Sequence, residues 1–178
     1  GLDVLEWFAG QDDYNLIFAP HVMLFQRKMH VSVEHRRIRL RRMIPDRLRN
    51  LPNIRIDTGS QYSVDMSYTR AADIYLGDAS SQIYEWIYQP RPCILLNSHG
   101  ADWQGNPNYS HWNMGQVIDR VSDLPHALAV AQEQQQFYAQ RQKDAFQATF
   151  HTVPSQSAAS RAAQEIVHFL SQDKAHAA

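Results

Sequence analysis

Residues 72–97 read Ala72-Asp73-Ile74-Tyr75-Leu76-Gly77-Asp78-Ala79-Ser80-Ser81-Gln82-Ile83-Tyr84-Glu85-Trp86-Ile87-Tyr88-Gln89-Pro90-Arg91-Pro92-Cys93-Ile94-Leu95-Leu96-Asn97. The stretch parses as a strand over 73–77, a turn of small residues, a helix over 80–89, a stop at the prolines and a strand over 93–97. In an α/β protein this order builds an anion site, because unpaired backbone N–H groups and the positive end of the helix dipole face the ligand. Ser80 or Ser81 can cap the helix and still offer a hydroxyl. Glu85 follows Ser81 by four residues, so both project from one helix face, where a carboxylate is placed to hydrogen-bond ribose hydroxyls. Ile83, Trp86 and Ile87 form the opposite face, directed at a sheet. Ser80, Ser81, Gln82 and Glu85 are therefore the first nucleotide- or phosphate-binding candidates. Asp78 joins them at the strand-to-helix junction, where an aspartate more commonly fixes the turn.

Leu2, Leu5, Trp7 and Phe8 predict a short helix, and Tyr14 to Ala19 a strand buried on both faces that ends at Pro20-His21. Met23, Leu24 and Phe25 read as buried, and Ile38 to Leu51 as a helix interrupted near Pro45. A second strand is expected over Ile54 to Asp57 and a short helix around 64–71. Downstream come a loop over 98–115, a strand over Gln116 to Asp119, a helix from Ser122 to about Phe146, and a last helix from Ser155 to Leu170. Residues 1–171 thus form one domain, with 172–178 as a frayed tail.

Strands alternating with helices predict an α/β fold with a doubly wound, Rossmann-like parallel sheet. Right-handed crossovers would bring the strand C-termini to one edge, where ligands bind. His21, Asp78–Ser81 and Asn97–Gly100 all follow strand ends and should converge there. His21 is the catalytic candidate, since imidazole titrates near working pH and serves as a base or, protonated, as a phosphate contact. His99 and Gly100 are candidate ligand contacts, with a plain loop as the equal alternative.

The quoted stretch resembles a segment of the CDP-glycerol:poly(glycerol phosphate) glycerophosphotransferases, the teichoic-acid and capsule polymerases. Asp73 to Leu76 match that family's strand, Asp78-Ala79-Ser80-Ser81 its loop, Glu85 its acidic helix position, and Arg91-Pro92 its usual Lys-Pro. Asn15-Leu16-Ile17-Phe18-Ala19-Pro20-His21 is similar to the family's strand ending in Pro-His. The resemblance implies the C-terminal, nucleotide-binding half of a GT-B fold, with a histidine at position 21 near the donor pyrophosphate. It implies transfer of a glycerophosphate group from CDP-glycerol, as substrate, to an anionic polymer or glycan acceptor of the cell envelope. No tightly bound cofactor is expected. In one respect the chain departs from the pattern: the family's phosphate-holding arginine has no counterpart between Arg91 and Arg120, and His111 is the candidate substitute. A glycosyltransferase or UDP-sugar 2-epimerase of the same fold is the enzymatic alternative, and a non-catalytic carbohydrate- or partner-binding domain the other.

At 178 residues and 44% hydrophobic, with 20% charged, the chain can bury a real core and is not compositionally disordered. A net charge of −1 gives no case for nucleic-acid binding across the chain. The lone Cys93 sits in an apolar run and reads as a small core residue of a reducing, cytoplasmic compartment. Nine histidines do not show metal spacing: His30 and His35 are five apart, and no Cys-x-x-Cys pair exists. Without a Gly-x-Gly-x-x-Gly or Walker loop, dinucleotide oxidoreductase and NTPase readings lack their signatures. No apolar run approaches the ~18 residues of a membrane span. Charge is uneven, however. Arg27, Lys28, Arg36, Arg37, Arg39, Arg41, Arg42, Arg47 and Arg49 are nine of the 17 Lys and Arg, opposed within that segment by Glu34 and Asp46 alone. Such a run is either a solvated face or a dock for an anionic polymer or for the inner membrane face, with Arg36, Arg37, Arg41 and Arg42 as the contacts. The chain opens without methionine, which predicts an N-terminal partner domain in a longer protein.

Overall fold

A computed structural model describes residues 1–21, 29–32, 36–40 and 43–176. Helix α1 (Leu2–Ala9) turns Val4, Leu5 and Phe8 inward and stops at Gly10. Strand β1 (Leu16–Phe18) follows and pairs in parallel with β4 (Ile54–Ile56), Leu16 opposite Ile54 and Phe18 opposite Ile56. Between them stands an antiparallel hairpin of β2 (Met29–Ser32) and β3 (Arg37–Leu40). A short helix α2 (Ser67–Ala71) leads into a second parallel sheet in the order β5-β6-β7, formed by Tyr75–Gly77, Cys93–Leu96 and Gln116–Ile118. Helix α3 (Gln82–Trp86) makes the β5-to-β6 crossover, as parallel neighbours require. The long α4 (Leu124–Phe150) and α5 (Ala158–His176) complete the chain. The fold is α/β, with short parallel sheets in a Rossmann-like arrangement.

Alternation along β6 divides the interior in two. Ile94 points to a layer with α1, Ile54, Leu48 and the first turns of α4, Leu124, Ala127, Leu128 and Ala131. Cys93 and Leu95 point the other way, to Ile83, Trp86, Ile87, Trp112 and Met114. Helices on both faces explain why the strand is a continuous apolar run. Gly115 permits the close approach of β7 to β6, since a Cβ there would lie 2.5 Å from Cys93 Cβ and its carbonyl oxygen.

Several boundaries differ from those the sequence suggests. The helix expected over 38–51 does not form. Residues 37–40 are strand β3, and among the described residues up to 51 a single 3-10 turn follows at Asp46–Leu48. Arg37-Ile38-Arg39-Leu40 alternates with the strand period, and Pro45 both lacks an N–H donor and bars Ile44 from helical geometry. The helix expected over 80–89 is confined to the five residues of α3, stopped ahead of Pro90 and Pro92. Conversely, α4 runs past Phe146 to Phe150, and α5 continues beyond Leu170 to His176. Met23, Leu24, Phe25, Arg41 and Arg42 lie outside the described residues. Among the described residues no helix is long and apolar enough to cross a membrane.

Candidate functional site at the C-terminal strand edge

The turn after β5 is the centre of the site. Asp78 closes it through its main chain, its carbonyl accepting from Ser80 N–H at 3.0 Å, while its carboxylate is exposed. Ser80 is half-buried, and from the position before the N-cap Ser81 its Oγ accepts from Gln82 N–H, the first of α3, at 3.3 Å. Ser81 makes no side-chain capping bond and is exposed, as is Glu85 one turn on. The two serines therefore divide the roles that either could have taken: one holds the helix and the other faces solvent. Ile83, Trp86 and Ile87 are buried beneath them as the periodicity predicts.

Tyr75 is a residue that motif reading missed. Its ring fills the space over Gly77, where a Cβ would lie 2.4 Å from the phenol oxygen, and it meets Trp86 with ring centroids 5.8 Å apart. Burial pushes the phenol up to about 12, Ser80 partly opposes the shift, and the carboxylates of Asp78 and Glu85 reinforce it. A neutral hydroxyl is thus kept beneath the turn. The one signal in sequence was a tyrosine two residues before glycine at a strand end.

His111 reaches the same turn from the 3-10 segment Pro107–Met114. Its ring is half-buried, stacks on Tyr109 and stands edge-on to Trp112. Its Nε2 is buried without a hydrogen-bond partner. Burial lowers the imidazole below 6.5, and the Asp78 carboxylate partly restores it. Asp78, Ser80, Glu85, Tyr75 and His111 are in this way one electrostatic neighbourhood.

The loop after β6 is built separately. Buried Asn97 receives Ala101 N–H on Oδ1 at 2.8 Å and donates through Nδ2 to Asp119 Oδ1 at 2.9 Å, linking the ends of β6 and β7. His99 and Gly100 ride on that loop and are exposed. At the end of β4, Asp57 accepts from Gly59 N–H, Ser60 N–H, the Ser60 hydroxyl and Tyr68 Oη. The Ser60 hydroxyl, then its N–H and Tyr68, hold that carboxyl far below its ordinary range. His21 is exposed just after β1, at the corresponding edge of the two-stranded sheet.

Arg91, ahead of β6, is turned inward. Its Nη1 donates to Ala72 O at 2.8 Å and its Nη2 to Thr69 O at 2.7 Å, while the guanidinium lies 3.7 Å from the Trp86 ring centroid. It clamps α2 to the start of β6. A cleft of about 310 Å³ lined by Gln11, Asp12, Asn15 and Asn53 opens at the other edge, before β1 and β4. Asn53 Nδ2 is already engaged there with the carbonyls of Phe8 and Gln11. Among the described residues no three His, Cys, Asp or Glu side chains gather to hold a metal ion. No family model, no curated protein and no solved structure matches the chain.

Proposed function

We propose that the chain is the nucleotide-donor-binding domain of a GT-B-type transferase, moving a glycerophosphate group from CDP-glycerol to a polymer acceptor. The gathering of Asp78, Ser80, Ser81, Glu85, Tyr75 and His111 at the C-terminal edge of parallel strands supports this reading. Ligands of open α/β sheets bind at that edge. Ser81 would receive the pyrophosphate, His111 would add a donor in place of an arginine, and Glu85 would take the ribose hydroxyls. In the transfer step an acceptor oxygen bonds to the β-phosphorus, the bond to CMP breaks, and the acceptor's proton passes to His21. Acceptor groups would come from another domain, so the chain alone should bind without turning over.

The test is a thermal-shift and calorimetric panel of CDP-glycerol, CMP, UDP-glucose and UDP-N-acetylglucosamine. Stabilisation by CDP-glycerol and CMP is the expected result, because a ligand bound only by the native state raises its stability by mass action. A response confined to the uridine sugars would move the assignment to a UDP-sugar enzyme. No response to any of the four would leave a fold without donor chemistry.

A further inference from the structure

The hairpin between the two halves of the β1-β4 pair has an apolar row that joins neither buried cluster of the described residues. Met29 stands opposite Leu40 and Val31 opposite Ile38. Residues two apart on a strand, and residues directly opposite across a ladder, share a face, so all four lie on one side of the hairpin. Their relative exposures are 48%, 78%, 61% and 66%, and Met43 just beyond β3 adds 59%. Neither buried cluster includes any of them. A contiguous apolar surface left in water marks a site of interaction.

The neighbouring chemistry selects the partner. Arg36 is exposed in the turn at a φ of 46°, and Arg37 and Arg39 take the intervening positions of β3. Arg27, Lys28, Arg41 and Arg42 flank the two strands in sequence, against Glu34 alone between Arg27 and Arg42. A second copy would cover the apolar row but, carrying the same cations, would supply no counter-charge for the arginines around it. A soluble polyanion would satisfy the charge and leave the apolar row in water. An anionic bilayer satisfies both, accepting apolar side chains at the acyl boundary and basic residues among its headgroups. We propose that the β2-β3 hairpin is a membrane-docking element that seats Met29, Val31, Ile38 and Leu40 in the surface of an anionic lipid bilayer.

Vesicles of phosphatidylcholine with phosphatidylglycerol, and of phosphatidylcholine alone, serve as probes for sedimentation with the whole chain. The parent protein should sediment with the anionic vesicles and be released from them by salt, which screens the arginines. Changing Val31, Ile38 and Leu40 together to Thr keeps strand-forming residues at exposed positions. This variant should retain the parent's thermal midpoint and lose about tenfold or more in vesicle affinity, because the apolar contribution scales with buried area. Arg36→Gln with Arg41→Gln and Arg42→Gln should lose affinity for anionic vesicles and gain none for the neutral ones. The proposal is overturned if the parent ignores anionic vesicles, or if the threonine variant binds them as the parent does. It is overturned equally if the parent binds polyphosphate but not vesicles, or if it forms a dimer that the threonine variant cannot.

Discussion

His111 is a residue whose environment makes a prediction independent of any ligand. Its imidazole is half-buried, with Nε2 buried and unpartnered, which favours the neutral form over the charged one. In the unfolded chain it takes a proton near 6.5, whereas in the folded chain it resists until the pH is lower. Stability is therefore fully present above 6.5 and falls as the pH drops below it, because only the unfolded state is then gaining protons. Replacing His111 with Gln should remove that part of the slope, so the difference in thermal midpoint between mildly acidic and mildly alkaline solution shrinks. Parallel curves for parent and variant would show that burial of the neutral ring contributes nothing. Asp57 acts in a separate window: its depressed carboxyl stabilises the fold above 3.8 and ceases to do so as the pH falls below it. The signal for Asp57 was visible as Asp-Thr-Gly-Ser after a strand, a turn in which the carboxylate collects N–H groups. In the sequence His111 stands out only as a stand-in for a missing arginine; the partial burial that lowers its imidazole comes from the 3-10 segment Pro107–Met114, which reads as a loop in the sequence.

At the scale of the element, α3 separates two serines that the sequence leaves equivalent. Ser80 holds the first helical N–H, so Ser80→Ala should cost about 0.5–1.5 kcal/mol in denaturant unfolding, the net worth of one hydrogen bond. Ser81 carries no cap, so Ser81→Ala should change stability by less than about 0.5 kcal/mol. If Ser81 holds a donor phosphate, that variant should weaken nucleotide binding about tenfold, the effect of losing one charge-assisted hydrogen bond. Loss of stability in Ser81→Ala would reverse the two assignments. The elements that were legible are those that bury a face: the run Cys93–Leu96 between two helices, the stripe Ile83-Trp86-Ile87, and Leu124, Leu128 and Ala131 on α4. Apolar periodicity reports contact with a core. The hairpin was misread for the same reason. Its alternation is short, its apolar row joins neither buried cluster of the described residues, and the arginines between resemble the solvated side of a helix. Length failed where caps intervened, since prolines shorten α3 and their absence lets α4 and α5 run on.

At the scale of the molecule, α4 joins the two interior layers. Its first turns pack with α1 and Ile94, and farther along Ala145 and Phe146 reach the layer of Trp86 and Leu95. Between them Gln142, fully buried, donates to Met114 O at 2.7 Å and Arg91 O at 3.0 Å, tying the helix to both ends of the loop around β6. The two layers are thereby one cooperative body, and stability should be concentrated in them. Among the described residues, helix α5 contributes to neither buried layer. From Ala158 to Ser171 every residue but Arg161 is exposed, including Ile166, Val167, Phe169 and Leu170 at 60%, 63%, 64% and 55%. Its described ties are local, Arg161 Nη1 to Gln156 O at 3.3 Å among them. A helix that buries so little apolar surface gains little from tertiary contact, and helices of this kind open at the low end of the local stability range. A chain ending at Ser157 should accordingly unfold in urea at nearly the parent midpoint, with ΔG lower by no more than about 1 kcal/mol. The denaturant slope should fall only slightly, because that slope follows the surface exposed on unfolding and α5 adds little to it. Amide exchange in the parent should agree, with α5 exchanging through local opening and β6 through global unfolding. A drop of several kcal/mol on truncation, or exchange in α5 as slow as in β6, would mean that its apolar residues are covered in solution and that α5 belongs to the core.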